Sequence, residues 1–138
     1  MLGVNTTGRA ALDSFVKYTM RMLQQKWRNL RNAFFALIEA WRSETSFRVQ
    51  VLFTIAIFVA AWYYRVTPSE WALLVLSLAG VLTVELLNTA IERTGDAFGR
   101  RDPDIGLIKD LGAAAAGTIG LAAVAVSTIV LIPHLLNP

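Results

Sequence analysis

Val84-Glu85-Leu86-Leu87-Asn88-Thr89-Ala90-Ile91-Glu92-Arg93-Thr94-Gly95-Asp96 starts inside an apolar run and ends among charges. On a helix of about 3.6 residues per turn, Glu85, Asn88 and Glu92 share one face. Asp96 extends that face if Gly95 does not break the helix. A carboxylate turned to hydrocarbon is costly, so Glu85 must face protein, water or an ion. An ionisable residue inside a membrane span reads as functional by default. Glu92 lies where solvent begins, and it reads equally well as a helix-end group hydrogen-bonded to a neighbour.

The surrounding composition fits that membrane setting. The chain has 138 residues, room for one domain, and 55% of them are hydrophobic, with the charges clustered. This is the make-up of a small polytopic membrane protein. There is no cysteine, which excludes a disulfide framework, a zinc-thiolate site and a thiol nucleophile. His134 is the single histidine, so metal chemistry by a histidine cluster is excluded, and it reads as an interfacial residue. The net charge of +3 comes with a basic N-terminal third. That balance favours an anionic membrane surface over nucleic acid. No zinc finger or stacking-aromatic motif points to a nucleic-acid partner. A signal-peptide pattern is not expected at the N-terminus.

Upstream, residues 1–10 read as a frayed lead. From Leu12, apolar residues recur at three- and four-residue spacings: Phe15, Val16, Leu23, Trp27, Leu30, Phe34, Leu37 and Trp41. Lys17, Arg21, Gln24, Arg28 and Arg31 take the other side. This predicts a basic amphipathic helix lying in the membrane interface. Ser43, Thr45 or Ser46 is expected to cap a new helix. Glu44, at that junction, reads by composition as an ordinary helix-start acid. Val49–Tyr64 is the first span, extended by Phe47 and closed by the Trp62-Tyr63-Tyr64 belt. Arg65–Glu70 is a tight turn, with Thr67 or Ser69 as cap and Pro68 in the first turn of the next helix. The short link makes the first two spans antiparallel neighbours. Trp71–Leu87 is the second span.

A polar loop is expected from Arg93 to Lys109, with Gly95, Gly99 and Pro103 as breakers. The third span follows over Leu111–Leu136, and its small-residue start, Gly112 to Gly117, suits close helix packing. The expected architecture is therefore all-α, an N-terminal segment over 1–46 with a surface helix, then a three-span domain over 47–138. Its spans run over about 47–64, 70–92 and 109–136. Eight lysines and arginines precede the first span, Arg65 alone lies in the first loop, four lie in the second, and none follows the third. The N-terminus and second loop are expected on the cytoplasmic side. Glu44, Glu85, Asn88, Glu92, Lys109 and Asp110 then meet near one face of the membrane.

Carboxylates, an amide, a lysine and arginines at such an interface suit phosphate and a divalent cation. Magnesium takes few carboxylates and completes its shell with phosphate oxygens and water. Phosphoryl transfer needs charge neutralisation, positioning and a base for the attacking hydroxyl. A desolvated carboxylate at the depth of Glu85 could serve a lipid hydroxyl as base. Lys109 could hold phosphate oxygens as a point charge. No glycine-rich Walker loop is present, which excludes an ordinary P-loop nucleotide site.

The segment from Val84 to Asp96 closely resembles the signature of the prokaryotic diacylglycerol kinase and undecaprenol kinase family. Lys109-Asp110-Leu111-Gly112-Ala113-Ala114 resembles that family's second motif, and Glu44-Thr45-Ser46-Phe47-Arg48 its third. Order, spacing and topology agree over roughly residues 27 to 135. The resemblance implies a homotrimer in the bacterial inner membrane with composite sites between subunits. It implies transfer of the ATP γ-phosphate to a lipid alcohol, with magnesium. By position, Glu85 would be the general base, and Glu44 and Glu92 would hold the metal. Asn88, Asp96, Lys109 and Asp110 would serve the nucleotide together with Glu44 and Glu92. Ser46, Phe47, Arg48, Gln50 and Ala113 would line the lipid side with Glu85.

Two departures stand out. The family carries an arginine on its surface helix that reaches ATP phosphates; ungapped alignment puts Gln25 there, with Arg28 and Arg31 nearby. A histidine common in the second loop is missing, where this chain reads Arg100-Arg101-Asp102-Pro103-Asp104. The competing classes are a small oligomeric channel or proton relay with a Glu85 ring, which would bind no ATP, and a family member that binds lipid without turnover.

Overall fold

The structure is a computed structural model that describes residues 6–99 and 102–136, with side chains from residue 12 onward. Every described element is a helix: α1 Thr6–Ser43, α2 Thr45–Tyr63, α3 Pro68–Phe98 and α4 Pro103–Leu136. Two compact units divide between Glu39 and Ala40. The first is the body of α1. It begins at Thr6, six residues before the expected start at Leu12. Its apolar stripe stays uncovered, with Phe15, Leu23, Trp27, Leu30 and Phe34 all more than half exposed.

The second unit holds the three apolar helices, each long and apolar enough to cross a membrane. Its core runs along α3 and α4, where Leu74, Leu78 and Val81 pack with Ala123, Val130 and Leu131. α3 and α4 share the longest interface; α2 leans on α3 and touches α4 least. Ala61 of α2 and Val66 of the first link close one end of this core. Most other large apolar side chains point outward, as a bilayer solvent requires.

The link between α2 and α3 folds as its residues dictate. Arg65 takes a left-handed conformation at φ 51°, and Thr67 opens α3 with Pro68 in the first turn. Thr67 and Glu70 form a reciprocal capping box: the Glu70 carboxylate accepts from the Thr67 backbone N–H at 2.7 Å. His134, near the end of α4, meets the same carboxylate at 3.2 Å. The lone histidine thus ties the far end of α4 to the start of α3.

Two expectations are corrected. The cap of α2 is Glu44, not Ser43, Thr45 or Ser46, and it makes no side-chain capping bond. Thr45 instead accepts from Arg48, and Ser46 turns to Glu85. The long second loop is also mostly helical. α3 runs through Gly95 to Phe98, and α4 begins at Pro103. A Cβ on Gly95 would lie 3.0 Å from Lys109 Cδ, so this glycine permits close approach of α4 rather than ending α3. The helix stops at Gly99, whose φ of +95° favours glycine. Asp102 then accepts from the Asp104 backbone N–H at 2.9 Å, capping α4 ahead of Pro103.

Candidate functional site

Continuous helix through Gly95 keeps Glu85, Asn88, Glu92 and Asp96 on one face of α3. Glu85 is 5% exposed, and both of its oxygens are engaged from α2. Ser46 donates its hydroxyl to Oε1, and Gln50 Nε2 donates to Oε2 at 2.8 Å. A carboxylate in this setting is affordable only because both oxygens find donors. Ser46 and Gln50 lie four residues apart, so one face of α2 supplies both donors.

One turn on, Asn88 is 9% exposed and donates Nδ2 to Glu92 Oε1 at 3.0 Å. Its Oδ1 is buried with no hydrogen-bond partner. That oxygen faces Gly112 of α4, where a Cβ would come within 2.6 Å of it. Lys109, one turn before Gly112 on α4, reaches Asp96 with Nζ–Oδ1 2.8 Å. Glu44, at the head of α2, is held by Arg93 Nη2 at 2.9 Å, and the same guanidinium donates to Ser43. The α2, α3 and α4 motifs therefore converge at one end of the three-helix unit.

Not every expected residue joins this cluster. Asp110 and Ala113 are exposed. Phe47 is buried and helps to seat the start of α2, whereas Arg48 serves Thr45 on its own helix. Gln25, Arg28 and Arg31 belong to the first unit, within which they are exposed on α1, and Arg100 and Arg101 lie outside the described residues. Two contributors escaped sequence reasoning. Arg93 pairs with Glu44 across 49 positions, and Gly112 faces Asn88; only the small-residue run after Lys109 hinted at the second.

Comparison with known proteins bears directly on this constellation. The prokaryotic diacylglycerol kinase profile matches residues 31–131, which take in α2, α3, the link to α4 and most of α4. The chain belongs to the prokaryotic diacylglycerol kinase family. The diacylglycerol kinase of Escherichia coli K12 is 33% identical over 113 residues, covering 80% of each chain. The undecaprenol kinase of Bacillus subtilis 168 is 26% identical over 98 residues, 70% of this chain and 80% of that one. A diacylglycerol kinase of Pseudomonas aeruginosa is 38% identical over 79 residues, 56% of this chain and 64% of that one. The matched region contains the buried Glu85 and the Asn88–Glu92 and Lys109–Asp96 pairs.

Proposed function

We propose that the chain transfers the γ-phosphate of ATP, with magnesium, to the hydroxyl of a membrane lipid alcohol of the diacylglycerol or undecaprenol kind. It works as a homotrimer in the bacterial inner membrane, with its N-terminus and site on the cytoplasmic side. One observation carries the reading: a buried carboxylate, Glu85, held by two donors at the end of the bundle where an amide, carboxylates and a lysine gather.

Glu85 is the general base. It takes the proton of the lipid hydroxyl as that oxygen attacks the γ-phosphorus; the bond to the bridging oxygen breaks and ADP leaves. Ser46 and Gln50 fix the carboxylate's orientation, which is where much of the rate enhancement in such a transfer originates. Asn88 orients Glu92. Lys109, poised on Asp96, exchanges that partner for phosphate oxygens. Asp110 supports the nucleotide from the same turn of α4, while Phe47, Arg48 and Ala113 bound the lipid side.

The carboxylates that would hold magnesium are Glu44, which Arg93 engages at 2.9 Å, and Glu92, which accepts from Asn88 at 3.0 Å; no group of three or more His, Cys, Asp or Glu is gathered for a metal among the described residues. Magnesium is commonly held in this way, by one or two carboxylates with phosphate oxygens and water completing its shell. Bound there, it would neutralise charge building on the transferring phosphoryl group. The trimer draws support from α4, whose Ala113, Ala114 and Gly117 are exposed in the single chain and lie on one side of the helix, a small-residue face for a neighbour.

The test is transfer of label from γ-labelled ATP to diacylglycerol or undecaprenol by the purified chain in mixed micelles. Labelled lipid that requires magnesium and is lost in Glu85→Gln is the expected result. A folded chain that labels neither alcohol would refute the reading.

A further inference from the structure

α1 runs over Thr6–Ser43, but the family profile begins at residue 31, so residues 6–30 stand outside the matched region. Within the first unit this helix carries two distinct surfaces. At about 100° per residue, Leu12, Leu23, Leu30 and Phe34 share one stripe, and each is more than half exposed. Lys17, Arg21, Arg28 and Arg31 fall on one flank of that stripe, within about 80° of arc, and all four are exposed. None of the four forms an ion pair among the described residues. Asp13 and Glu39 lie on the same flank, one towards each end. The opposite flank, with Tyr18, Gln25, Asn29 and Asn32, carries no charge.

Unpaired cations beside an uncovered apolar stripe complement a surface that is anionic above and oily below. Lys26 distinguishes a lipid surface from a protein partner. It lies inside the apolar stripe, three residues after Leu23 and four before Leu30. Pressed against a dry protein face, its ammonium would be buried without a counter-charge, which is costly. At a lipid surface its stem lies along the acyl boundary while the ammonium reaches up to phosphate.

We infer that α1 carries a binding strip for anionic lipid headgroups, with Lys17, Arg21 and Arg28 on lipid phosphates and the Leu23 stripe in the acyl boundary. Each guanidinium can hold two phosphate oxygens at once. Lys17 and Arg21 stand one helical turn apart, about 6 Å, and Arg28 about 10 Å further on, so successive headgroups along the helix can be engaged. Three helices long and apolar enough to cross a membrane already anchor the chain. The strip therefore adds selection rather than hold: it enriches acidic lipid beside α1. This inference concerns α1 alone and stands apart from the kinase reading.

The experiment uses the full-length protein in nanodiscs of mixed phosphatidylcholine and phosphatidylglycerol. The chain has no cysteine, so Leu23→Cys carries a single fluorophore on the stripe. A nitroxide quencher is attached near the headgroup of one lipid or of the other, at the same mole fraction. Quenching should be stronger from phosphatidylglycerol, with a local enrichment of about fivefold, the effect of one cation at an anionic surface. Lys17→Gln, Arg21→Gln and Arg28→Gln together should bring the two lipids level within about twofold, and so should molar salt. Lys17→Arg with Arg21→Lys should keep the preference. Equal quenching in the parent chain, or a preference untouched by the three glutamines, would overturn the inference. Quenching by neither lipid would overturn it too, since a protein surface, a second copy of the chain included, would then cover the stripe.

Discussion

The Asn88 side-chain oxygen looks onto the bare Cα of Gly112, where a methyl group would come within 2.6 Å of it. This is a contact between α3 and α4 that only glycine allows. Gly112→Ala must push the amide, and with it the Asn88–Glu92 hydrogen bond, or separate the helices. We expect phosphotransfer to fall by about a hundredfold, the usual effect of displacing a site by an ångström. Overpacking should lower stability by about 1–3 kcal/mol. Activity and detergent-solubilised thermal unfolding, read on one preparation, check both. Wild-type activity in the alanine variant would show that the amide has room to move.

Glu85→Gln should abolish transfer while leaving the fold in place. Its new amide group would face Gln50 Nε2, but Gln50 can turn its presently unpaired Oε1 to the carboxamide. The loss expected from removing a general base is about 100- to 10,000-fold in kcat. Thermal unfolding within a degree or two of wild type, beside that loss, separates a chemical role from a structural one.

Arg93 occupies Glu44, one of the two carboxylates assigned to the metal. A cation must compete with the guanidinium for it. Arg93→Gln should therefore lower the magnesium concentration for half-maximal activity, by up to about fivefold, since partly exposed ion pairs contribute about 0–1 kcal/mol. A magnesium titration of wild type and variant decides the matter. A higher requirement in the variant would mean that Arg93 itself serves the phosphates.

Glu70 offers a control at the opposite end of α3. It closes the Thr67 capping box and meets His134. Glu70→Ala should lower thermal stability, because it removes the acceptor for the Thr67 backbone N–H and for His134 while Thr67 still caps the helix, and should leave turnover per folded molecule unchanged. Impaired turnover would tie the two ends of the bundle together energetically.

What could be read from residues alone divides along a physical line. Features encoded within one helix are legible: the three apolar spans, a cap at Thr67 or Ser69 with Pro68 in the first turn, and the shared face of Glu85, Asn88 and Glu92. Gly95 was read as a breaker because a glycine's local preference carries no record of what packs against it; here Lys109 and Ile105 of α4 do. Ser46 was counted among helix caps, although it serves a carboxylate 39 residues away. Arg93 likewise finds Glu44 only in three dimensions. A resemblance of motifs supplied the candidate residues; the pairings among them had to come from geometry.

The 31 residues of α3 make a rod of about 46 Å, well beyond the roughly 30 Å of a bilayer's hydrocarbon. Glu85 lies about 26 Å from its start, and Asp96 about 16 Å further on. On the proposed reading, a single axis passes from oil into water with the base on one side of the boundary and the nucleotide's partners on the other. A greasy acceptor and a highly charged donor share no common solvent, and either would pay heavily to enter the other's. With α3 unbroken at Gly95, neither has to make that crossing: the partition between phases is spanned by the catalyst's own backbone.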